Sequence, residues 1–169
     1  NVTANKDLLS VTMYDVEEVP AYAFYGCDKL ESVTMLPSNN PAGESIGNYA
    51  FGQCSELQSV TLPMTTDTVG LRPFAGDKKL TGVIPGSVSV GNAFAYDNGI
   101  LFSLSGGVKD KVVECLETRG NNSASSGNSI GSTTINKSEL EGITDFYDEA
   151  FMDCDGIGTV DMSLSNLTK

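Results

Sequence analysis

One pattern recurs along the chain and restricts its folding more than any other feature. An apolar residue is followed by three spacers, Ala-Phe, two spacers, Cys or Asp, two spacers, Leu, two spacers, Val, one spacer and Met or Leu. The first full copy is Val19, Ala23, Phe24, Cys27, Leu30, Val33, Met35, and the second is Ile46, Ala50, Phe51, Cys54, Leu57, Val60, Leu62. The third is Val69, Pro73, Phe74, Asp77, Leu80, Val83, and a fourth begins at Val90 with Ala93, Phe94 and Asp97 before departing. A last copy is Phe146, Ala150, Phe151, Cys154, Ile157, Val160, Met162, and Leu8, Val11, Met13 match the tail of a unit at the start. From Phe24 to Phe51 is 27 residues, from Phe51 to Phe74 is 23 and from Phe74 to Phe94 is 20. Self-similarity at such a period is the mark of a solenoid.

The physics of one unit explains why units must stack. Ser32-Val33-Thr34-Met35 alternates polar and apolar residues, as a half-buried strand does, with Val33 and Met35 inward and Ser32 and Thr34 outward. The Ala-Phe segment reads as a turn whose ring must be buried, a gain of roughly 1.5–3 kcal/mol per large side chain. No unit can cover its own Phe and Leu. Stacking at a strand spacing of about 4.8 Å places each Phe on the next, so Phe24, Phe51, Phe74, Phe94 and Phe151 are expected to form one column. Pro37, Pro63 and Pro85 fall where strands end.

These units resemble the BspA-type leucine-rich repeat, the Ala-Phe-x-x-Cys class found in surface proteins of anaerobic bacteria and some protists. The residues that carry the resemblance are Ile46 to Leu57 and Asp148 to Cys154. It implies a right-handed leucine-rich-repeat-like solenoid, mainly of short parallel strands joined by turns. It also implies an extracellular or cell-surface module for protein binding or adhesion. No catalytic residue comes with it, and fold alone does not specify function. The expected organisation is a single repeat domain over 1–169, a piece of a longer protein, with repeats over about 8–97 and 143–164. The third unit, with Pro73 for Ala and Asp77 for Cys, is expected to disturb the ladder.

Between the repeats, Ile100–Leu104 and Lys111–Leu116 are two apolar runs around a Gly-rich turn, which predicts an inserted hairpin. Thr118–Ser132 holds three Gly, three Asn and five Ser and reads as a flexible exposed loop, so the insertion covers about 98–135. Thr133-Thr134-Ile135 is expected to resume a strand.

Composition narrows the function. With 22 Asp plus Glu, 10 Lys plus Arg and a net charge of −12, the chain repels phosphate backbones and anionic lipid. It lacks an apolar run long enough to insert in a membrane. The chain has no His, which removes Ser-His and Cys-His nucleophile systems. No Cys-x-x-Cys is present to hold a structural zinc ion, and no cofactor motif appears. Cys27, Cys54 and Cys154 share one repeat position and are expected to be small buried thiols, with the state of Cys115 open. Asp145, Asp148, Glu149, Asp153, Asp155 and Asp161 are read as a solvated face. The Asp153-Cys154-Asp155-Gly156 echo of a calcium loop lacks the remaining ligands.

The expected binding residues are the outward strand positions. One row is Ser10, Ser32, Ser59, Gly82 and Thr159; its neighbour is Thr12, Thr34, Thr61 and Asp161. The partner class is a host or neighbouring-cell surface or matrix protein, or a glycan. Two alternatives stand beside it: a structural spacer of a larger surface protein, and a carbohydrate-active enzyme using paired carboxylates.

Overall fold

Two short strands alternate through the first three units of the computed structural model, which describes residues 5–39, 41–84, 93–119 and 132–163. They are β1 (Ser10–Met13), β2 (Glu18–Val19), β3 (Ser32–Met35), β4 (Glu44–Ile46), β5 (Ser59–Thr61), β6 (Thr66–Val69) and β7 (Gly82–Ile84). Each coil returns the chain in the same direction, so like strands pair in parallel, in the order β1-β3-β5-β7 and β2-β4-β6. Register follows the repeat: Val11 pairs with Val33, Val33 with Val60, and Val60 with Val83. In β3 the alternation appears as read, with Val33 and Met35 buried and Ser32 and Thr34 half-buried. The second sheet was not foreseen, because strands of two to four residues are too short to display alternation. Its inward residues are the first anchors of each unit, with Val19 opposite Ile46 and Ile46 opposite Val69. The third unit does not disturb the β5–β7 ladder; the register shift lies at Glu44/Ser45 between β4 and β6.

The Ala-Phe turns form a third laddered wall. The Phe24 N–H donates to Ala50 O at 2.7 Å, Phe51 N–H to Pro73 O at 2.9 Å and Gln53 N–H to Ala75 O at 2.6 Å. Coils meet here backbone to backbone. A Cβ on Gly47 would lie 2.3 Å from Ala21 N, and only glycine fits so close an approach. Inside the wall, Phe24, Phe51 and Phe74 stack with centroids 5.4 and 5.8 Å apart and planes within 4° and 14°.

The stack ends at Phe74. Phe94 is buried in the same core but opens strand β8 (Phe94–Asp97) instead of another turn. Asn98-Gly99, both at positive φ, closes a tight hairpin to β9 (Ile100–Ser105), and Gly106-Gly107 closes the expected one to β10 (Val108–Cys115). The last unit follows with β11 (Thr134–Ile135), a 3₁₀ turn (Lys137–Leu140), β12 (Asp145–Phe146) and β13 (Thr159–Val160). β12 joins β10 in parallel, completing a sheet in the order β12-β10-β9-β8, and β11 pairs with β13.

The hairpin is a partition. Leu101, Val113 and Leu116 face the core of the first coils, while Ile100, Phe102, Val112 and Cys115 face a second core built with Ile135, Leu140, Ile143 and Ala150. Period-two alternation with both faces covered accounts for the unbroken apolar run Ile100-Leu101-Phe102. It also corrects the single column: Phe151 lies in the second core, tilted at 53° against Phe146 at 5.6 Å. Cys154 is corrected too. It is joined to Cys115 by a disulfide, with Cα atoms 6.2 Å apart, because the end of β10 turns Cys115 toward the last unit; Cys27 and Cys54 are the buried free thiols. Burial pushes the Cys54 thiol well above its ordinary range.

Most of the loop expected over 118–132 lies outside the described residues, as does Pro85. Thr118 and Arg119 at its start are buried, contrary to expectation. Arg119 donates to Asn98 O, to Thr134 O at 3.2 Å and to Glu139 Oε1 at 2.7 Å, tying the hairpin turn to the last unit. Met162, expected inward, is exposed. Among the described residues no helix is long and apolar enough to cross a membrane.

Candidate functional site

The rows expected to bind are only partly one surface. Ser10, Ser32, Ser59 and Gly82 align across β1-β3-β5-β7, and Thr12, Thr34 and Thr61 align beside them. Thr159 instead pairs with Thr134 in the separate β11–β13 ladder, and Asp161 follows it there. The aligned rows present small polar side chains, of which Ser32, Thr34 and Thr61 are half-buried. Such a ladder supports strand pairing and offers a partner little area.

Larger outward groups gather on the turn wall. Among the described residues, the one two places before the turn Phe adopts positive φ in four units: Tyr22 at 60°, Tyr49 at 53°, Arg72 at 40° and Glu149 at 61°. The left-handed backbone turns these side chains away from the Phe stack and toward one another across coils, with Tyr22 and Glu149 exposed, Tyr49 half-buried and Arg72 buried. Tyr22 and Tyr49 stack at 5.4 Å with planes 10° apart, and Tyr25 meets the Tyr22 ring at 5.6 Å and 66°. Tyr22 and Tyr25 are 50% and 41% exposed. The Tyr49 hydroxyl donates to Glu149 Oε2 at 2.7 Å, and that hydrogen bond pushes its pKa up. Sequence reasoning missed this patch. The signal was present in the shared spacing of Tyr22, Tyr49, Arg72 and Glu149 from their Phe, but their orientation depends on a backbone conformation that spacing does not display.

Arg72 is the structural centre of this wall. Its side chain is 3% exposed, and its Nη2 donates to Met152 O and to Asp153 Oδ2, both at 2.9 Å. Glu114 Oε1 and Glu149 Oε2 each lie 3.9 Å from the guanidinium. Burial opposes the charged form of Arg72, but the Asp153 hydrogen bond and the nearby Glu114 outweigh it and hold its pKa up. Glu149 and Asp153, read from sequence as members of a solvated face, thus dock the last unit on the third coil. Of the others, Asp145 reaches Lys111 at 3.4 Å and Asp161 accepts from Ser163 N–H at 3.0 Å.

Two further acids lie beneath. Glu114 Oε2 accepts the Phe74 N–H at 3.1 Å, and burial pushes its pKa up to about 8. Asp77, in the place of the repeat Cys, accepts the Cys54 N–H at 2.8 Å with Oδ1, while Oδ2 has no partner among the described residues. Burial pushes the Asp77 pKa well above its ordinary value, against the opposing pull of the Cys54 N–H. Above this pair opens a polar cleft of about 310 Å³ lined by Gln53, Gly76, Lys78, Glu117, Asp153 and Asp155. Burial raises the pKa of Glu117, whose Oε1 accepts the Gly76 N–H at 2.7 Å. Among the described residues no three carboxylates, thiols or imidazoles converge so as to hold a metal ion.

Comparison with known proteins gives one family. A family model described as a BspA type leucine rich repeat region matches residues 4–106 in 6 copies. No curated protein matches the chain. A solved structure of a leucine rich cell surface protein from Faecalibacterium prausnitzii aligns over 98% of this chain at 16% identity, with a TM-score of 0.36. The chain covers 64% of that protein's solved length.

Proposed function

We propose, from the premise that this chain belongs to the BspA-type leucine-rich repeat family, that it is a non-catalytic binding module of a cell-surface protein and holds its partner on the turn wall. The observation that carries this reading is the tyrosine cluster in which Tyr22 and Tyr25 are exposed and Tyr49 stacks half-buried beside Tyr22. Tyrosine offers large contact area at small entropic cost and is enriched among residues that dominate binding energy. The Ser and Thr rows of the strand face have neither property. Glu149 and Asp153 are engaged with Arg72, so the last unit's carboxylates serve docking in preference to a paired-acid mechanism.

Two double variants separate the faces: Tyr22→Ser with Tyr25→Ser, and Thr34→Arg with Thr61→Arg. Capture on a panel of immobilised host matrix proteins is expected to fall about tenfold or more for the tyrosine pair, a loss of ~1.4 kcal/mol, and to persist for the threonine pair. The opposite pattern would move the interface to the strand face. Undiminished capture by both variants would place the interface on neither face, and no capture by the unmodified chain would leave it as a spacer.

A further inference from the structure

We infer that the partner presents arginine side chains, whose guanidinium planes lie against Tyr22 and Tyr25 and whose N–H groups enter the acidic cleft beyond Gln53. This deepens the binding reading above and rests on it. The aromatic patch and the cleft are continuous. The Tyr25 ring lies over Gly52, where a Cβ would come within 3.2 Å of it, and the next residue, Gln53, forms the cleft wall. The cleft is lined by Glu117, Asp153, Asp155 and Lys78; Arg72 already engages Asp153 from within, and Asp155 makes no ion pair with the described residues.

The same ladder already accommodates one guanidinium from within. Arg72 stands at the position of Tyr22 and Tyr49 and is held by the Asp153 carboxylate and the Met152 carbonyl, with Glu149 beside it. A ring face next to carboxylate and carbonyl acceptors suits a planar, five-donor cation better than the compact ammonium of lysine. The chain's net charge of −12 adds long-range attraction for a cationic segment and repels anionic glycans.

The test uses three synthetic peptides in which glycine alternates with arginine, lysine or glutamate, titrated against the whole chain at physiological salt. The arginine peptide is expected to bind about tenfold tighter than the lysine peptide, with the glutamate peptide not binding. Tyr22→Ser with Tyr25→Ser, which leaves the charge unchanged, is expected to remove most of the arginine preference. Asp155→Asn is expected to weaken arginine binding several-fold, while Asp67→Asn, which removes the same charge outside the cleft, leaves it unchanged. Equal losses for Asp155→Asn and Asp67→Asn, or equal binding of the arginine and lysine peptides, would reduce the effect to bulk charge and overturn the inference. If the arginine peptide fails while matrix capture still depends on Tyr22 and Tyr25, the turn wall stands and the cationic partner falls. If neither depends on the tyrosines, both readings fall.

Discussion

Truncating Phe51 to Ala removes the middle ring of the three-ring stack. Phe51 is fully buried, with Phe24 at 5.4 Å on one side and Phe74 at 5.8 Å on the other. Deleting such a side chain typically costs about 3–5 kcal/mol, because a cavity remains where the neighbours cannot collapse. Two parallel ring contacts vanish together, each of order 0.5–1.5 kcal/mol beyond burial, which places the expected loss at about 4–5 kcal/mol. Phe24→Ala is the internal control. Phe24 is half-buried and has one ring neighbour in the stack, so its loss is expected near ~2 kcal/mol. Urea unfolding of both variants, read from the midpoint at unchanged slope, measures the difference. In a thermal scan the Phe51 loss corresponds to roughly 8–20 °C. A Phe51→Ala cost no larger than that of Phe24→Ala would refute the stack as the axis of the core.

Two further outcomes follow from the buried acids and the disulfide. Glu114 has its pKa raised by burial to about 8, so below the ordinary glutamate range both folded and unfolded chains carry its proton. From there up to about 8 the unfolded chain ionises first, and stability falls by as much as ~1.4 kcal/mol per pH unit. Glu114→Gln retains an acceptor for the Phe74 N–H and is expected to flatten that decline; parallel curves of thermal midpoint against pH for the two proteins would contradict it. The Cys115–Cys154 bridge closes a separation of 39 residues, for which chain entropy gives about 4 kcal/mol. Reduction, or Cys115→Ser with Cys154→Ser, is expected to lower the midpoint accordingly. Alkylation of the unfolded, unreduced chain is expected to modify Cys27 and Cys54 alone; labelling of all four cysteines would show the bridge absent.

The solenoid was legible because its register is written in the repeat itself: Val11, Val33, Val60 and Val83 occupy one spacing and one ladder. The hairpin was legible from two apolar runs and Gly106-Gly107. Its role as a wall between two cores was not, since a strand buried on both faces and one that merely lacks polar residues look alike. That ambiguity hid the division of the Phe column and the partner of Cys154. The candidate site was least visible. The outward set of Tyr22, Tyr49 and Glu149 depends on positive φ at residues that seldom adopt it, a preference imposed by the turn wall and not by the residues themselves. Arg119 was misread for a related reason: the Gly/Ser/Asn-rich composition of its neighbours outweighed the one residue whose charge demanded partners.

The chain has two arginines, Arg72 and Arg119, and the fold has drawn both inside. Every exposed basic side chain among the described residues is therefore a lysine. An arginine-directed protease can then reach Arg119 only in molecules whose hairpin exit has opened, while the bond after Arg72 leads into Pro73 and resists such an enzyme even in the open chain. The native sequence thus carries one built-in reporter, and the rate at which the bond after Arg119 yields would measure how readily the hairpin turn lets go of the last unit.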